Sequence, residues 1–465
     1  MSGLPLIAGF APDAVFAWRD GAAITTRRYL GDVARLAALL PDRGQVLNLC
    51  ADRYRFAVGF GAALLRGQVS MLPPNHTPVM VAQLARDYPG LYCLREAGGP
   101  ALEIETLLFP DDADGAANHA SDSASDSPVP LIPADQLAAL VFTSGSTGTP
   151  LPNRKTWGRL TLSAQSEAAR LGLGPAPGER ASWSLVGTVP PQHMYGFEST
   201  VLLPMQGGLA LHAGRPFYAA DVAAALAGLP RPRALITTPV HLRALVEEAA
   251  AAATFHARPD FLLCATAPLS DELARAAEEC LEAPLYEIYG CTEAGQVATR
   301  RSTAGPRWQA LPGLQLRQDQ QGTWVRGGHV EGEVLLGDVI ELDDYTHFEL
   351  RGRNADMINI AGKRTSLAHL NFQLGSIEGV RDGVFVMPEG EAEKNSEVMR
   401  LAAIVVAPGI GSAQISAALR RRIDAVFLPR PLYMVDSLPR NSTGKLTAAV
   451  LRELLAQCAS NHGTT

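Results

Sequence analysis

Cysteine is scarce in this chain: six residues in 465, scattered as Cys50, Cys93, Cys264, Cys280, Cys291 and Cys458. No CxxC pair and no Cys/His spacing suited to a metal occurs among them. That excludes a zinc ribbon or a disulfide framework and predicts isolated thiols in a reducing compartment. Basic residues are in deficit as well. Forty Lys and Arg stand against 47 Asp and Glu, a net charge of −7, so no broad basic face for nucleic acid is expected. Long apolar runs are also missing: no stretch of ~18 apolar residues occurs, and a helical membrane span is not expected. The opening MSGLPLIAGFAPDAVFAW has no basic segment and places Asp13 among its apolar residues, unlike a signal peptide. A cytoplasmic protein is the expectation.

What the chain does have is apolar mass. Hydrophobic residues make up 47% and Asp, Glu, Lys and Arg 19%, enough to bury large cores. The length predicts two or three domains. Val46–Cys50 reads as a buried strand, Arg53–Arg66 as a helix and Val69–Leu72 as a second strand, a unit that favours a parallel sheet flanked by helices. Further strands are expected at Ala139–Phe142, Ala234–Thr237, Phe261–Cys264 and Leu285–Tyr289, with helices at Val240–Ala252 and Asp271–Leu281. Residues Pro110–Pro130 are rich in Asp, Ser and Ala and read as a surface loop. After about residue 305 the pattern changes to short strands, including Gly332–Leu336 and Thr346–Leu350. The tail carries strand Leu401–Val406 and helices Ser412–Ile423 and Thr447–Ala456.

Chemistry concentrates in several short segments. Thr143-Ser144-Gly145-Ser146-Thr147-Gly148-Thr149-Pro150 follows a buried strand. Its glycines permit close backbone approach, and its hydroxyls and amides can donate to phosphate oxygens. It is not a Walker A loop, since no Gly-Lys-Ser/Thr follows. Tyr289-Gly290-Cys291-Thr292-Glu293 ends another strand. Ligands bind at such edges in open α/β sheets, and Glu293 is a carboxylate of the kind that holds Mg²⁺ beside phosphate. Gly337-Asp338 precedes the run Gly352-Arg353-Asn354-Ala355-Asp356, which continues to Gly362-Lys363-Arg364. A carboxylate suits ribose hydroxyls, and Arg353 and Arg364 are fixed cations suited to phosphate. Pro439-Arg440-Asn441-Ser442-Thr443-Gly444-Lys445-Leu446 presents one lysine beside a glycine.

These segments occur in the order seen in the adenylate-forming superfamily of acyl-CoA synthetases, peptide-synthetase adenylation domains and luciferases. The resemblance covers about residues 140–450. Within that superfamily the chain is similar to the hydroxybenzoate–acyl carrier protein ligases of xanthomonadin and aryl-polyene pigment synthesis. The resemblance implies an α/β fold with a large core domain over residues 1–352 and a small mobile α+β lid over 353–465. It implies an acyl-adenylate made from ATP and a carboxylate with Mg²⁺, then transfer to the phosphopantetheine of an acyl carrier protein, or to free CoA.

By the same resemblance Lys445 would bridge carboxylate and α-phosphate. Thr143, Ser144, Gly145, Ser146, Thr147 and Gly148 would wrap the outer phosphates. Glu293 would hold Mg²⁺ with Thr292 near the α-phosphate. Tyr289, Gly290, Asp338, Arg353 and Arg364 would contact the nucleotide. His193, Tyr195, Gly196, Thr266, Ala267 and Gly295 would line the acid's pocket, and Gly362 the thiol channel. Two departures stand out: Leu151 follows Pro150 where a lysine is usual, with Arg154 and Lys155 further on, and Ala355 occupies the hinge position. A non-catalytic nucleotide- or acyl-binding protein is the alternative from another class.

Overall fold

The computed structural model describes residues 3–11, 13–98, 102–110, 128–143, 151–174, 183–251, 257–266, 269, 271–353, 357–360, 363–387, 400–439 and 448–462. The chain divides into two compact units. The first comprises Met1–Pro74, Leu84–Phe142 and Pro152–Asn354, and the second Asn75–Gln83, Thr143–Leu151 and Ala355–Thr465. Most of the loop expected at Pro110–Pro130 lies outside the described residues.

Two large sheets build the first unit. One has six strands, in the order Leu151–Thr156, Leu137–Thr143, Val69–Leu72, Gln45–Asn48, Tyr92–Arg95 and Thr106–Leu108. Its last five strands pair in parallel. The other has eleven strands: Asp338–Leu342, His347–Arg353, Trp308–Ala310, Gly295–Arg300, Leu285–Cys291, Phe261–Cys264, Arg233–Thr237, Ser184–Gly187, Ala210–His212, Val15–Arg19 and Ala22–Thr25. From Leu285–Cys291 to Val15–Arg19 it is parallel. The strand–helix alternation read from the sequence thus forms two parallel layers. The N-terminal hairpin at the second sheet's edge was not anticipated, because its strands are short and half exposed.

Helix Arg53–Leu65 explains how the sheets come together. Nearly all its residues are buried, on every side, as expected of a helix packed within a core and unlike one that lies on a surface. It touches strands of both sheets. Asp52 caps it by accepting from the Arg55 amide at 2.9 Å. Gly59 lies where the helix crosses Asn48 and Leu94. A Cβ there would sit 2.6 Å from Asn48 Nδ2 and 2.7 Å from Leu94 Cδ2. Phe60 packs edge-on to Phe197, with centroids 5.0 Å apart.

The second unit has its own core. Strands Asp382–Val386, Ala402–Val406 and Leu432–Met434 form a small sheet. Ala403 and Val405 face a cluster with Leu370, Leu374, Ile415 and Leu419. Ala402 and Ile404 face Leu451, Leu454 and Leu455 of helix Ala448–His462. The period of two along this central strand is what lets helices cover both faces. Among the described residues, no helix is long and apolar enough to cross a membrane.

Candidate active site

The parallel strands of the larger sheet end side by side at Gly187, Thr237, Cys264 and Cys291. Open α/β sheets bind ligands along such a carboxyl edge. Hydroxyls gather there, with Thr188 Oγ1 and Thr237 Oγ1 3.2 Å apart. Thr266, just past Phe261–Cys264, has φ 83°, a left-handed conformation costly for a β-branched residue. Its Oγ1 is buried with no hydrogen-bond partner among the described residues.

The Tyr289–Glu293 segment forms the end of a hairpin. The sequence places the strand's end at Tyr289, but pairing with Gly295–Arg300 extends it to Cys291, with a register shift at Tyr289/Gly290. A Cβ on Gly290 would lie 2.3 Å from the Gly295 carbonyl oxygen, so only glycine fits this close backbone approach. Tyr289 Oη donates to Asp338 Oδ2 at 2.7 Å in a buried contact. Asp338 in turn pairs across the sheet with Arg353. The fold therefore joins three expected nucleotide residues that lie far apart in sequence. Thr292 is half-buried and Glu293 exposed in the hairpin turn. The Glu293 carbonyl accepts from Lys155 Nζ at 2.8 Å. Its carboxylate has no ion pair or hydrogen bond among the described residues, and no group of three or more potential ligands exists among them. One open carboxylate matches the need of Mg²⁺, which takes few protein ligands and shares phosphate oxygens.

The residues expected around the acid are placed as follows. His193 stands at the N-cap position of the short helix Met194–Phe197, without a capping bond from its side chain. Tyr195 is buried, and its hydroxyl donates to the Leu263 carbonyl at 3.1 Å, bracing this helix against Phe261–Cys264. Burial pushes the phenol well above its ordinary range. A Cβ on Gly196 would lie 2.0 Å from the Pro190 carbonyl oxygen. Gly295 has φ 78°, and a Cβ there would lie 2.9 Å from Glu198 Oε1. Ser144, Gly145, Ser146, Thr147, Gly148, Ala267, Gly362 and Lys445 lie outside the described residues. For Arg353 and Arg364 the description covers the backbone alone. Thr143 ends its strand at the entrance to the 144–150 segment.

Sequence reasoning missed the buried polar groups nearby. Arg53 is fully buried and uses all five N–H donors. Nε reaches Thr200 Oγ1 at 2.9 Å; Nη1 reaches the His212 and Gly214 carbonyls at 3.0 and 2.8 Å; Nη2 reaches the Gly187 and Val189 carbonyls, both at 2.9 Å. Burial pushes its pKa down to about 10, so it remains charged at neutral pH. Lys155 points inward from strand Leu151–Thr156, while Arg154 points out. Burial lowers its pKa, opposed chiefly by the charge of Glu198. Glu198 is itself buried and pushed up to about 7, with Lys155 and the Ser163 hydroxyl resisting. Glu167 is pushed up to about 8 by burial. A signal for Glu167 exists in the sequence. It falls on the stripe Leu160, Ala164, Glu167, Leu171 of helix Trp157–Leu171, the buried face of that helix.

The architecture is that of the α/β adenylate-forming enzymes. The chain superposes on o-succinylbenzoate CoA synthetase of Bacillus subtilis with a TM-score of 0.76 at 19% identity, covering 96% of each chain. It superposes on an amide bond synthetase of Marinactinospora thermotolerans with a TM-score of 0.75 at 20% identity, covering 96% of this chain and 98% of that one. In sequence, the chain is 31% identical over 319 residues to a 4-coumarate–CoA ligase of Rhodobacter capsulatus, covering 67% of this chain and 75% of the relative. It is 25% identical over 462 residues to a 2-succinylbenzoate–CoA ligase of Bacillus velezensis, covering 90% and 88%. The model of the AMP-binding enzyme family matches residues 8–337. The chain belongs to that family and is an AMP-forming acid–thiol ligase.

Proposed function

We propose that the protein activates an aryl carboxylic acid with ATP and passes the acyl group to the thiol of coenzyme A. In the first half-reaction a carboxylate oxygen attacks the α-phosphorus, the bond to pyrophosphate breaks, and an acyl-adenylate forms. In the second the thiol sulfur attacks the acyl carbon, AMP leaves, and the thiol proton passes to solvent. The observation that carries this reading is the Tyr289–Asp338 hydrogen bond, which joins two motif segments at the carboxyl edge beside the Thr292–Glu293 turn. Asp338 is assigned to the ribose hydroxyls, with Arg353 close by and Arg364 toward phosphate, and Thr292 to the α-phosphate. Glu293 would hold Mg²⁺, which when bound offsets phosphate charge. Lys445 is assigned to the reacting oxygens, residues 143–148 to the outer phosphates and Gly362 to the thiol arm.

The acid class is supported by relatives that are named as 4-coumarate, 4-chlorobenzoate and 2-succinylbenzoate ligases. Those names also favour coenzyme A over a carrier protein as acceptor. The finer reading, a hydroxybenzoate delivered to an acyl carrier protein, rests on the resemblance to the pigment-pathway ligases. ATP–pyrophosphate exchange with benzoates, cinnamates and medium-chain fatty acids tests the first step; exchange with fatty acids alone would overturn the aryl reading. Supplying either CoA or a phosphopantetheinylated carrier protein, and following thioester formation, decides the acceptor. Lys445→Ala is expected to lower exchange by about 10²-fold or more, as removal of a preorganised charge donor does. It should affect thioester formation from preformed adenylate less.

A further inference from the structure

Neither half-reaction, as assigned above, gives a task to Lys155. Its side chain is nonetheless buried, at 9% exposed, and a lysine is rarely buried without a partner. Lys155 stands on Leu151–Thr156, the edge strand of the six-stranded sheet. Its Nζ donates to the Glu293 carbonyl at 2.8 Å. That carbonyl belongs to the turn between Leu285–Cys291 and Gly295–Arg300, two strands of the eleven-stranded sheet. The bond therefore crosses from one sheet to the other. Lys155 also faces the charges of Glu198, Glu293 and Glu331, so the ammonium is compensated where it lies.

Lys155 does not stand in for the lysine that is usual after Pro150. Four residues of strand separate it from Leu151, about 13 Å along the chain, more than a lysine side chain reaches. Leu151 is 57% exposed, whereas Lys155 is buried. Lys155 holds backbone, and what it holds is specific. Thr292 and Glu293, the two residues of the turn assigned to the α-phosphate and to Mg²⁺, leave the chain at this carbonyl. Inside the hairpin, Gly290 lies so close to the Gly295 carbonyl that a Cβ would come within 2.3 Å. The turn is thus fixed from within by a glycine contact and from outside by one ammonium. A carbonyl that loses a charged donor loses one of the stronger hydrogen bonds, and the turn is free to rotate toward another partner. The Glu293 carboxylate moves with it.

We propose that Lys155 is a positioning residue: a strut from the edge of one sheet that sets the Thr292–Glu293 turn of the other, and so aims Glu293 at Mg²⁺ on the nucleotide. It rests on the ligase reading above and adds a residue that acts without touching substrate.

The test is calorimetric binding of ATP to the full-length protein with and without Mg²⁺, which needs no turnover. Wild type is expected to bind ATP more tightly when Mg²⁺ is present. Lys155→Met is expected to reduce that Mg²⁺-dependent gain by about three- to tenfold, the scale of one hydrogen bond, and to leave affinity for ATP alone nearly unchanged. Lys155→Gln, whose shorter amide does not reach the carbonyl, gives the same readout should Lys155→Met fold poorly. Tm, followed alongside, separates the role from simple bracing, which would lower Tm and leave the gain intact. A variant that keeps the wild-type gain would overturn the strut. So would an equal loss of affinity with and without Mg²⁺, the mark of a general disturbance. Both outcomes leave the ligase reading standing. Failure of the wild type to bind ATP under either condition would overturn the ligase reading and the strut together.

Discussion

Two buried polar clusters sit a single residue apart in the chain, and they are built on opposite principles. Thr200 belongs to the first. It accepts from Arg53 Nε and donates to the Gly196 carbonyl at 2.5 Å. Around Arg53 every donor is matched, and four backbone carbonyls from two chain segments, with the Thr200 hydroxyl from a third, are held by one side chain. Ser199 belongs to the second, where Glu167 Oε2, Gln296 Oε1 and His329 Nδ1 are buried without a hydrogen bond among the described residues. Both residues lie in the π-helical turn Glu198–Leu202, a local irregularity of the kind that often accompanies functional sites. A closed network fixes a shape. An incomplete one, equally buried, costs stability for each bond it leaves unmade.

The sharpest way to break this contrast is Arg53→Met. Four carbonyls and a hydroxyl would lose their donor, so a loss of about 3–5 kcal/mol in urea unfolding is expected. A loss below ~1 kcal/mol would place Arg53 with the open cluster. Lys155→Met comes next. Removing the cation that faces Glu198 and the donor to the Glu293 carbonyl should cost about 1–3 kcal/mol. It should also raise the Mg²⁺ concentration for half-maximal exchange several-fold, since the turn that carries Glu293 loses its anchor.

Comparing Thr200→Val with Ser199→Ala sharpens the contrast within one turn. The first should cost about 1–2 kcal/mol and leave acid selectivity unchanged. The second should cost less, because Gln296 also acts directly on the Glu167 carboxyl. The smallest effect is on pH dependence. Glu167 has a folded pKa of about 8 against an ordinary 4.5, so the folded state binds the extra proton. The stability this confers is complete below about pH 4.5 and declines as pH rises toward 8. Glu167→Gln should flatten the Tm–pH curve above pH 7 and leave a decline up to about 7 from Glu198. Lys155, His329 and Glu331 are the charged or titratable neighbours to hold fixed in that comparison.

The sequence made the parallel layers legible because Val69–Leu72, Phe261–Cys264 and helix Asp271–Leu281 are local patterns whose apolar spacing suffices to place them. It made the nucleotide residues legible as motif order, and the Tyr289–Asp338 bond then supplied a contact that no spacing predicts. Arg53 was read as the first residue of a helix, with nothing in the heptapeptide around it to say that its partners lie at Gly187, Val189, Thr200, His212 and Gly214. Glu167 was passed over because a lone polar residue on an apolar stripe gains meaning only from what faces it, and His329 because it sits in the turn after strand Gly322–Gly327, where no periodicity marks it. The N-terminal strand Val15–Arg19 was missed for the same reason: its partner is Ala210–His212.

That last pairing sets a timetable for synthesis. Ala17 pairs with Leu211, and at about 5–20 residues per second the strand leaves the ribosome roughly 10–40 seconds before its partner. Helix Arg53–Leu65 waits with it, apolar on every side and with only one of its two sheets yet made. The guanidinium of Arg53 stays in water until Thr200 and Gly214 arrive, and its five bonds then close together. The growing chain therefore carries a helix that the finished fold buries on every side uncovered for longer than any local folding step takes, and closure of the second sheet is the event that ends the exposure.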